Sequence, residues 1–244
     1  MLHIGKYFGY VFRGAGAILF YPFHIRKYVK NKNQYPLQER YDVVKGKIKT
    51  VLLKYLNATL KVEGLEKLDE SSTYLFVPNH QGMLDPLCLI HLFDKPLIFV
   101  SKKEAKKMPI IGKINYIIDS IFLDRESPRD ALNMVKASKQ YLCDGKNVVI
   151  FPEGTRSKDE QVSINTYKPG ALKCAYGTNA KIVPVVIDGS YLFLSTKHKN
   201  NDKVIKIKFL DPIESSNYET LTTTELAEKI EKFAKSELEK MRNQ

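Results

Sequence analysis

Residues 74–85 read YLFVPNHQGMLD and join an apolar segment to a polar turn. The apolar residues 74–77 have the length of a short buried strand, and the proline at position 78 ends it because proline cannot donate a ladder hydrogen bond. Pro86, directly behind Asp85, favours the start of a helix. The segment therefore predicts a strand, a polar turn and a helix, in that order.

The same succession of apolar strand and helix repeats along the chain. Apolar strands that alternate with helices indicate an α/β domain. We therefore predict a mostly parallel or mixed sheet flanked by helices. The predicted strands are Tyr74–Val77, Leu97–Val100, Ile121–Leu123, Val148–Phe151, Ile182–Ile187 and Val204–Phe209, and the predicted helices are Pro86–Phe93, Arg129–Leu142, Pro169–Tyr176 and Thr224–Met241.

The N-terminal segment Ile4–Phe23 is apolar and aromatic but contains Lys6 and Arg13. An arginine at the centre of a membrane span costs about 2.5–3.5 kcal/mol, and Arg13 also interrupts the apolar stretch that a signal peptide needs. Aromatic residues followed by a basic cluster are typical of a segment that lies in the membrane interface. We predict an interfacial anchor here, with a helix packed on the protein core as the alternative.

A second amphipathic pattern follows at Leu37–Leu60, where apolar residues recur at helical spacing with lysines between them. The two segments together predict an N-terminal amphipathic helical pair, residues 1–60, that lies on the membrane surface. The α/β domain is then predicted to comprise residues 61–244.

Net charge and the absence of known motifs limit the classes of partner and cofactor that the chain is expected to bind. The net charge of +12 predicts a polyanionic partner such as anionic lipid, a phosphorylated substrate or nucleic acid, with a solvated lysine-rich surface as the alternative. No nucleic-acid-binding motif is recognisable, so we predict no nucleic acid partner. The histidines lack metal-ligand spacing and no dinucleotide or P-loop motif is present, so we predict neither a metal nor a nucleotide cofactor. Three cysteines without CxxC spacing are expected to be buried, in a reducing cytosol.

The first chemical motif is the turn Asn79-His80-Gln81-Gly82-Met83-Leu84-Asp85. A histidine titrates near neutrality and can remove a proton from a hydroxyl when a carboxylate fixes its tautomer. On a continuous helix His80 and Asp85 would be about 140° apart. They can therefore meet only if the segment turns, which Gly82 permits. The alternative is that Asp85 caps the following helix and His80 is an ordinary loop residue.

The second motif, FPEGTRS at positions 151–157, also follows an apolar strand. Pro152 and Gly154 favour a turn, and the glycine allows a ligand to approach the backbone closely. Arg156 supplies a planar fork suited to phosphate, with the Thr155 hydroxyl beside it. Glu153 can orient that fork or bind a substrate hydroxyl. The motif predicts a phosphate-binding turn.

Four segments in this order resemble the glycerolipid acyltransferases, most closely the bacterial 1-acyl-glycerol-3-phosphate acyltransferases of the PlsC type. They are NHQGMLD (79–85), SIFLDR (120–125), FPEGTRS (151–157) and IVPVVI (182–187), so the resemblance covers about residues 70–190. It implies an α/β fold with an N-terminal helical pair in the membrane surface. It also implies that His80 is the base and Asp85 its orienter. The implied binding residues for the acceptor's phosphate and glycerol are Arg125, Glu153, Gly154 and Arg156, and Lys102 matches a position where the family often has a phosphate-contacting lysine.

The resemblance implies acyl transfer from a thioester to the free hydroxyl of lysophosphatidic acid, giving phosphatidic acid in phospholipid biosynthesis. The donor would be acyl-CoA or acyl carrier protein, with no cofactor, at an anionic membrane surface on the cytoplasmic face. The enzyme would be peripheral or monotopic. Two alternatives stay open. One is an acyltransferase acting on glycerol-3-phosphate or another lysophospholipid, and the other is a non-catalytic protein that binds anionic lipid.

Two positions depart from the family pattern. Gly82 stands where the first motif usually has serine, which puts acceptor positioning in doubt. Asp119 directly precedes the SIFLDR segment, at a position where the family usually has glycine. A carboxylate at position 119 would either repel the substrate phosphate or face away from it.

Overall fold

The computed structural model describes residues 25–157, 163–193 and 203–243, and it contains one mixed sheet of seven strands. The strands are β1 (Thr59–Glu63), β2 (Tyr74–Pro78), β3 (Leu97–Lys102), β4 (Ile121–Leu123), β5 (Asn147–Val149), β6 (Lys181–Asp188) and β7 (Val204–Phe209). In the order β1–β7–β6–β2–β5–β3–β4, all neighbours are parallel except β6 and β7. The predicted α/β fold with a mixed sheet is confirmed.

The central strand β2 explains why its sequence is continuously apolar. It pairs with β6 on one side and with β5 on the other, and all five of its residues are buried. Phe76 belongs to the core on one face of the sheet, whereas Leu75 and Val77 belong to the core on the opposite face. A parallel strand covered on both faces needs apolar side chains in both directions, so the alternation of a half-exposed strand is absent.

Helices cover both faces of the sheet. They are α1 (Leu37–Lys49), α2 (Asp85–Leu92), α3 (Ile111–Ile117), α4 (Pro128–Cys143), α5 (Ser215–Tyr218) and α6 (Thr223–Asn243). Residues 25–30 are also helical, and a π-helical segment, Thr50–Tyr55, continues α1. One face of the sheet packs against α1 to α3, and the other packs against α4 and α6.

Two predicted helices are wrong in extent or type. The helix predicted to reach Leu60 ends earlier, because Asn57 has a left-handed backbone (φ 51°) and residues from Thr59 onward form β1. The segment Pro169–Tyr176 begins with a 3₁₀ turn and continues as turns rather than as an α-helix. Of the three cysteines expected to be buried, Cys143 at the end of α4 is exposed.

The predicted interfacial anchor, Ile4–Phe23, lies outside the described residues. The apolar stripe of α1 is described, and it packs into the core through Tyr41, Val44 and Ile48 rather than facing outward. Among the described helices, none combines the length and the apolar character needed to cross a membrane. The division of the chain at residues 60 and 61 stays a prediction.

The topology gathers the predicted site at one edge of the sheet. Strands β2 to β6 run parallel to one another, so their carboxyl ends lie at the same edge, where α/β proteins build their sites. Four predicted site residues lie at or just beyond these strand ends. His80 comes after β2, Lys102 ends β3, Arg125 comes after β4 and Gly154 comes after β5.

Candidate active site

The turn between β2 and α2 brings His80 and Asp85 together. His80 Nδ1 lies 2.8 Å from Asp85 Oδ2, a hydrogen-bond distance that the turn at Gly82 makes possible. Asp85 is the first residue of α2, where the partial positive charge of a helix N-terminus favours an anion. The structure therefore forms the contact that the motif predicts.

Asp85 is held by four donors. Its Oδ2 accepts the backbone N–H groups of Gln81 and Gly82 at 2.8 and 2.9 Å in addition to the imidazole, and its Oδ1 accepts the Ser190 hydroxyl. The side chain is fully buried, and a buried carboxylate is tolerated when its oxygens are satisfied in this way. Because a carboxylate only accepts hydrogen bonds, the proton must be on His80 Nδ1. The lone pair of Nε2 is then available to a substrate hydroxyl.

Glu153 connects the FPEGTRS motif to the turn that contains His80. Its Oε1 accepts the backbone N–H of His80 at 2.6 Å, and its Oε2 accepts both the backbone N–H and the side-chain amide of Asn165 at 2.8 and 2.7 Å. The return contact is a hydrogen bond of 2.9 Å from the Ser157 N–H to the His80 carbonyl. Burial raises the pKa of the Glu153 carboxyl above its ordinary value, although these hydrogen bonds oppose the shift.

The contacts of Glu153 show what it does in the fold. Only 3% of the residue is exposed and both carboxylate oxygens have protein donors, so it holds the His80 backbone. Thr155 is exposed and does not line the cavity described next. The predicted binding roles of these two residues stay predictions.

A cavity of about 1190 Å³ opens beside His80. Its wall is mainly apolar and comes from α1 and its π-helical extension, α2, α3, α4 and the ends of β3 and β4. Such a wall suits an acyl chain, because burial of each CH₂ group contributes about 0.8 kcal/mol. The apolar lining residues include Val44, Ile48, Val51, Leu84, Leu87, Ile90, Phe99, Ile111, Ile114, Ile118, Leu123, Leu132, Val135 and Ile150.

Exposed basic residues also line the cavity, and from them we call Lys102, Arg125, Arg156 and Lys168 the basic rim. Lys102 forms an exposed ion pair with Glu104 at 3.4 Å, a contact of little energetic value. In the described part of the chain the other three cations have no acidic partner within ion-pair distance. Partial desolvation lowers the pKa of Arg125, but a guanidinium remains charged at neutral pH.

Lys168 was not predicted as a site residue. Gly154 has a left-handed backbone (φ +69°), and a Cβ at that position would lie 3.1 Å from Lys168 Nζ. The glycine therefore both allows the turn and makes room for the lysine. The backbone N–H of Lys168 donates to the Pro152 carbonyl at 3.0 Å, which fixes the lysine beside the turn. No local pattern in the sequence indicated this contact, because it joins two loops.

Comparison with known proteins agrees with this geometry. A family model described as Acyltransferase matches residues 59–188, which is more than half of the chain and contains the His80, Arg125 and Arg156 segments. The chain belongs to the acyltransferase family.

Individual relatives of the chain are described in similar words. A Mycoplasma genitalium protein, "Probable 1-acyl-sn-glycerol-3-phosphate acyltransferase", is 34% identical over 170 residues, or 68% of this chain. The match spans 60% of that protein's length. A Haemophilus influenzae 1-acyl-sn-glycerol-3-phosphate acyltransferase is 29% identical over 69% of this chain and 70% of its own length.

A solved structure shares the fold. The crystal structure of the 1-acyl-sn-glycerophosphate (LPA) acyltransferase PlsC from Thermotoga maritima matches with a TM-score of 0.69 and 20% sequence identity. The match covers 96% of this chain and 98% of the Thermotoga chain. At this identity the likeness concerns the fold.

The departure from the family pattern at Gly82 has a packing explanation. A Cβ at position 82 would lie 3.0 Å from Ser190 Oγ and 3.2 Å from the Tyr191 backbone nitrogen. Ser190 thus occupies the space in which a residue-82 side chain would lie, and its hydroxyl donates to Asp85.

Ion pairs with Arg40 of α1 and with Lys32 explain why an aspartate is accommodated at position 119. Asp119 does not line the cavity, and its carboxylate pairs with Arg40, at 2.8 Å for the closest contact, and with Lys32. Burial would raise the pKa of Asp119, but the hydrogen bonds from Arg40 and Lys32 outweigh it and hold the pKa below its ordinary value. The backbone φ of 58° explains why glycine is favoured at this position. The carboxylate therefore faces away from the basic rim.

Proposed function

We propose that this protein transfers an acyl group from an acyl thioester to the free hydroxyl of 1-acyl-sn-glycerol-3-phosphate, giving phosphatidic acid. One observation carries the proposal: the hydrogen-bonded His80–Asp85 pair opens onto an apolar cavity whose exposed edge is basic. The apolar cavity is suited to an acyl chain, and the basic rim is suited to a phosphate. The imidazole can remove the proton from the acceptor hydroxyl.

In the proposed reaction His80 Nε2 takes the proton of the acceptor hydroxyl while its oxygen attacks the thioester carbonyl. Asp85 stabilises the imidazolium that forms. The tetrahedral oxyanion then collapses, the C–S bond breaks, and the thiolate receives the proton from His80. The products are an ester and a free thiol, and no acyl-enzyme is needed.

Backbone N–H groups of the FPEGTRS motif are suited to binding the oxyanion. The Gly154 N–H is already used, since it donates to the Phe151 carbonyl at 3.1 Å. The next two N–H groups, those of Thr155 and Arg156, have no protein acceptor in residues 25–157, 163–193 and 203–243. We assign the oxyanion to the Arg156 N–H, since Arg156 lines the cavity whereas Thr155 does not, and preorganised donors at a developing charge are a large source of rate enhancement.

The basic rim holds the acceptor phosphate in this proposal. Arg125 and Arg156 can each bind two phosphate oxygens, whereas Lys102 and Lys168 act as point charges. A bound phosphate fixes the acceptor, so its hydroxyl is presented to His80 in one orientation.

The acyl donor is proposed to be acyl-CoA or acyl carrier protein, used at the cytoplasmic face of an anionic membrane without a cofactor. Exposed apolar side chains at the cavity support a lipid surface as partner, because Met83 and Met108 are each 40% exposed and both line the cavity. Sedimentation with vesicles should show binding that rises with anionic lipid content and falls with salt.

The test is an acceptor panel assayed with both labelled acyl thioesters. Labelled phosphatidic acid from the lysophosphatidic acid arm is the expected product. Transfer to glycerol-3-phosphate or to another lysophospholipid in its place would identify the alternative acyltransferase. No transfer in any arm, together with retained vesicle binding, would identify a non-catalytic lipid-binding protein.

A further inference from the structure

Two neutral polar residues interrupt the apolar wall of the cavity. Ser101 near the end of β3 and Asn115 in α3 both line it, and the Ser101 hydroxyl donates to Asn115 Oδ1 at 3.0 Å. Asn115 is 8% exposed, and its neighbours in α3 include the apolar lining residues Ile111 and Ile114. A buried amide in such a wall has a cost unless its polar atoms are satisfied.

The amide nitrogen of Asn115 is the unsatisfied part. Its Oδ1 is taken by Ser101, and no acceptor in residues 25–157, 163–193 and 203–243 bonds Nδ2. Thr50 also lines the cavity, but its hydroxyl differs from the Asn115 amide nitrogen because it donates to the Gly46 carbonyl at 3.1 Å. Asn115 therefore offers N–H donors to whatever occupies the cavity.

The position of these donors indicates the group that they bind. Ser101, Asn115 and Lys102 of the basic rim all line the same cavity. A ligand that places its phosphate at the rim and its acyl chain along the apolar wall therefore extends past the Ser101–Asn115 pair. In a 1-acyl-glycerol phosphate, the ester carbonyl lies between the phosphate and the acyl chain.

We infer that Asn115 Nδ2 donates a hydrogen bond to the ester carbonyl of the lysolipid acceptor, with Ser101 fixing the amide. This inference rests on the proposed function and adds a specificity to it. The protein should prefer an acceptor with a 1-acyl ester to one with a 1-alkyl ether, because the ether has a matching chain and phosphate but no carbonyl. A donor that faces the ligand and is left without an acceptor is a basis for such discrimination.

A purely structural role for the pair makes a different prediction. If Asn115 and Ser101 only tied α3 to β3, their removal would lower thermal stability and reduce transfer to both acceptors by equal factors. The ratio of the two kcat/KM values therefore separates recognition from support, whatever the stability of the variant.

The experiment compares 1-acyl- and 1-O-alkyl-glycerol-3-phosphate of equal chain length, with the full chain and one acyl thioester. We expect the wild-type protein to prefer the acyl acceptor by about three- to tenfold, the equivalent of one neutral hydrogen bond. Asn115→Ala should bring the ratio close to one by lowering kcat/KM for the acyl acceptor alone. Ser101→Ala should lower the ratio partly, and Thr50→Val, the matched control, should leave it unchanged.

Several results would overturn the inference. A wild-type protein without preference between the two acceptors would do so even if the Asn115 variant failed to fold. Equal losses on both acceptors in Asn115→Ala, or a change confined to the KM of the thioester, would do so as well. Failure of the proposed function looks different, because neither acceptor would then be acylated by the wild-type protein.

Discussion

The His80–Asp85 turn and the basic rim are built in opposite ways, although both follow strands of one sheet. In the turn, each Asp85 oxygen and the backbone of His80 have protein partners, and Asp85 is fully buried. In the rim, the cations are exposed, and Lys102 alone of the four has an ion pair in the described part of the chain. The proposed chemistry therefore depends on a preorganised group, whereas the proposed binding depends on charges that remain available to the ligand.

The largest effect should come from breaking the paired region at its reactive atom. His80→Ala should lower kcat by about 10²–10⁴-fold, because it removes the general base. The fold should survive, since the Glu153 contact uses the backbone of residue 80 and not its side chain. Steady-state kinetics and a thermal melt of the purified variant measure the two effects.

A matched histidine provides the control. His91 in α2 does not line the cavity, and burial together with Lys45 and Lys49 lowers its pKa, so it is uncharged near neutrality. His91→Gln should keep most of the activity. Retention of more than about a tenth of wild-type kcat by His80→Ala would refute the assignment of the base.

The next effect should come from the basic rim and should appear in binding. Arg156→Ala should lower kcat/KM for lysophosphatidic acid by about 10–100-fold, mainly through KM, because hydrogen bonds to a charged group contribute about 1.5–3 kcal/mol. Arg156→Lys should recover part of the loss, since a point charge cannot reproduce the guanidinium fork. A 1-acylglycerol acceptor, which has no phosphate, should be affected little.

Arg129 serves as the comparison for Arg156. It is exposed in the first turn of α4 but does not line the cavity, so Arg129→Ala should change neither KM nor kcat. Equal losses on acceptors with and without phosphate in Arg156→Ala would show that this arginine supports the loop instead of binding the ligand.

These two regions also mark what the sequence could and could not predict. The strand ends and the meeting of His80 with Asp85 were predictable, because they depend on local turn chemistry. The roles of Glu153, Lys168 and Ser190 were not, since each depends on side-chain contacts between separate loops. β1 escaped prediction because apolar spacing continues from α1 to Leu60, and α3 because its seven residues are fewer than the window over which helical periodicity is recognised.

A third prediction concerns the ion pair that joins α1 to the end of α3. Asp119→Asn should lower the free energy of unfolding by about 1–3 kcal/mol, because it leaves the buried Arg40 without its charged partner. The pKa of Asp119 is lowered in the folded state, so its contribution is present above the unfolded value of 3.8 and is lost as pH falls below it. Urea unfolding at several pH values measures this difference.

Asp119→Gly separates charge from backbone strain at the same position. It removes the same ion pair but relieves the left-handed conformation, so its loss should be smaller than that of Asp119→Asn by about 1 kcal/mol. Identical losses in the two variants would mean that the backbone at position 119 is unstrained.

The smallest effect should come from a packing change inside the paired region. Gly82→Ser restores the residue usual in the family, but its Cβ would lie 3.0 Å from Ser190 Oγ, so Ser190 must shift away from Asp85. Loss of one of four donors to the carboxylate should lower kcat by about two- to tenfold, the equivalent of one hydrogen bond. Ser190→Ala should give a loss of similar size, because it removes the same donor.

In the double variant the new serine has more room beside Asp85, so the combined loss should be smaller than the product of the single losses. Multiplying losses would show that residues 82 and 190 act independently, and the packing explanation for Gly82 would then fail.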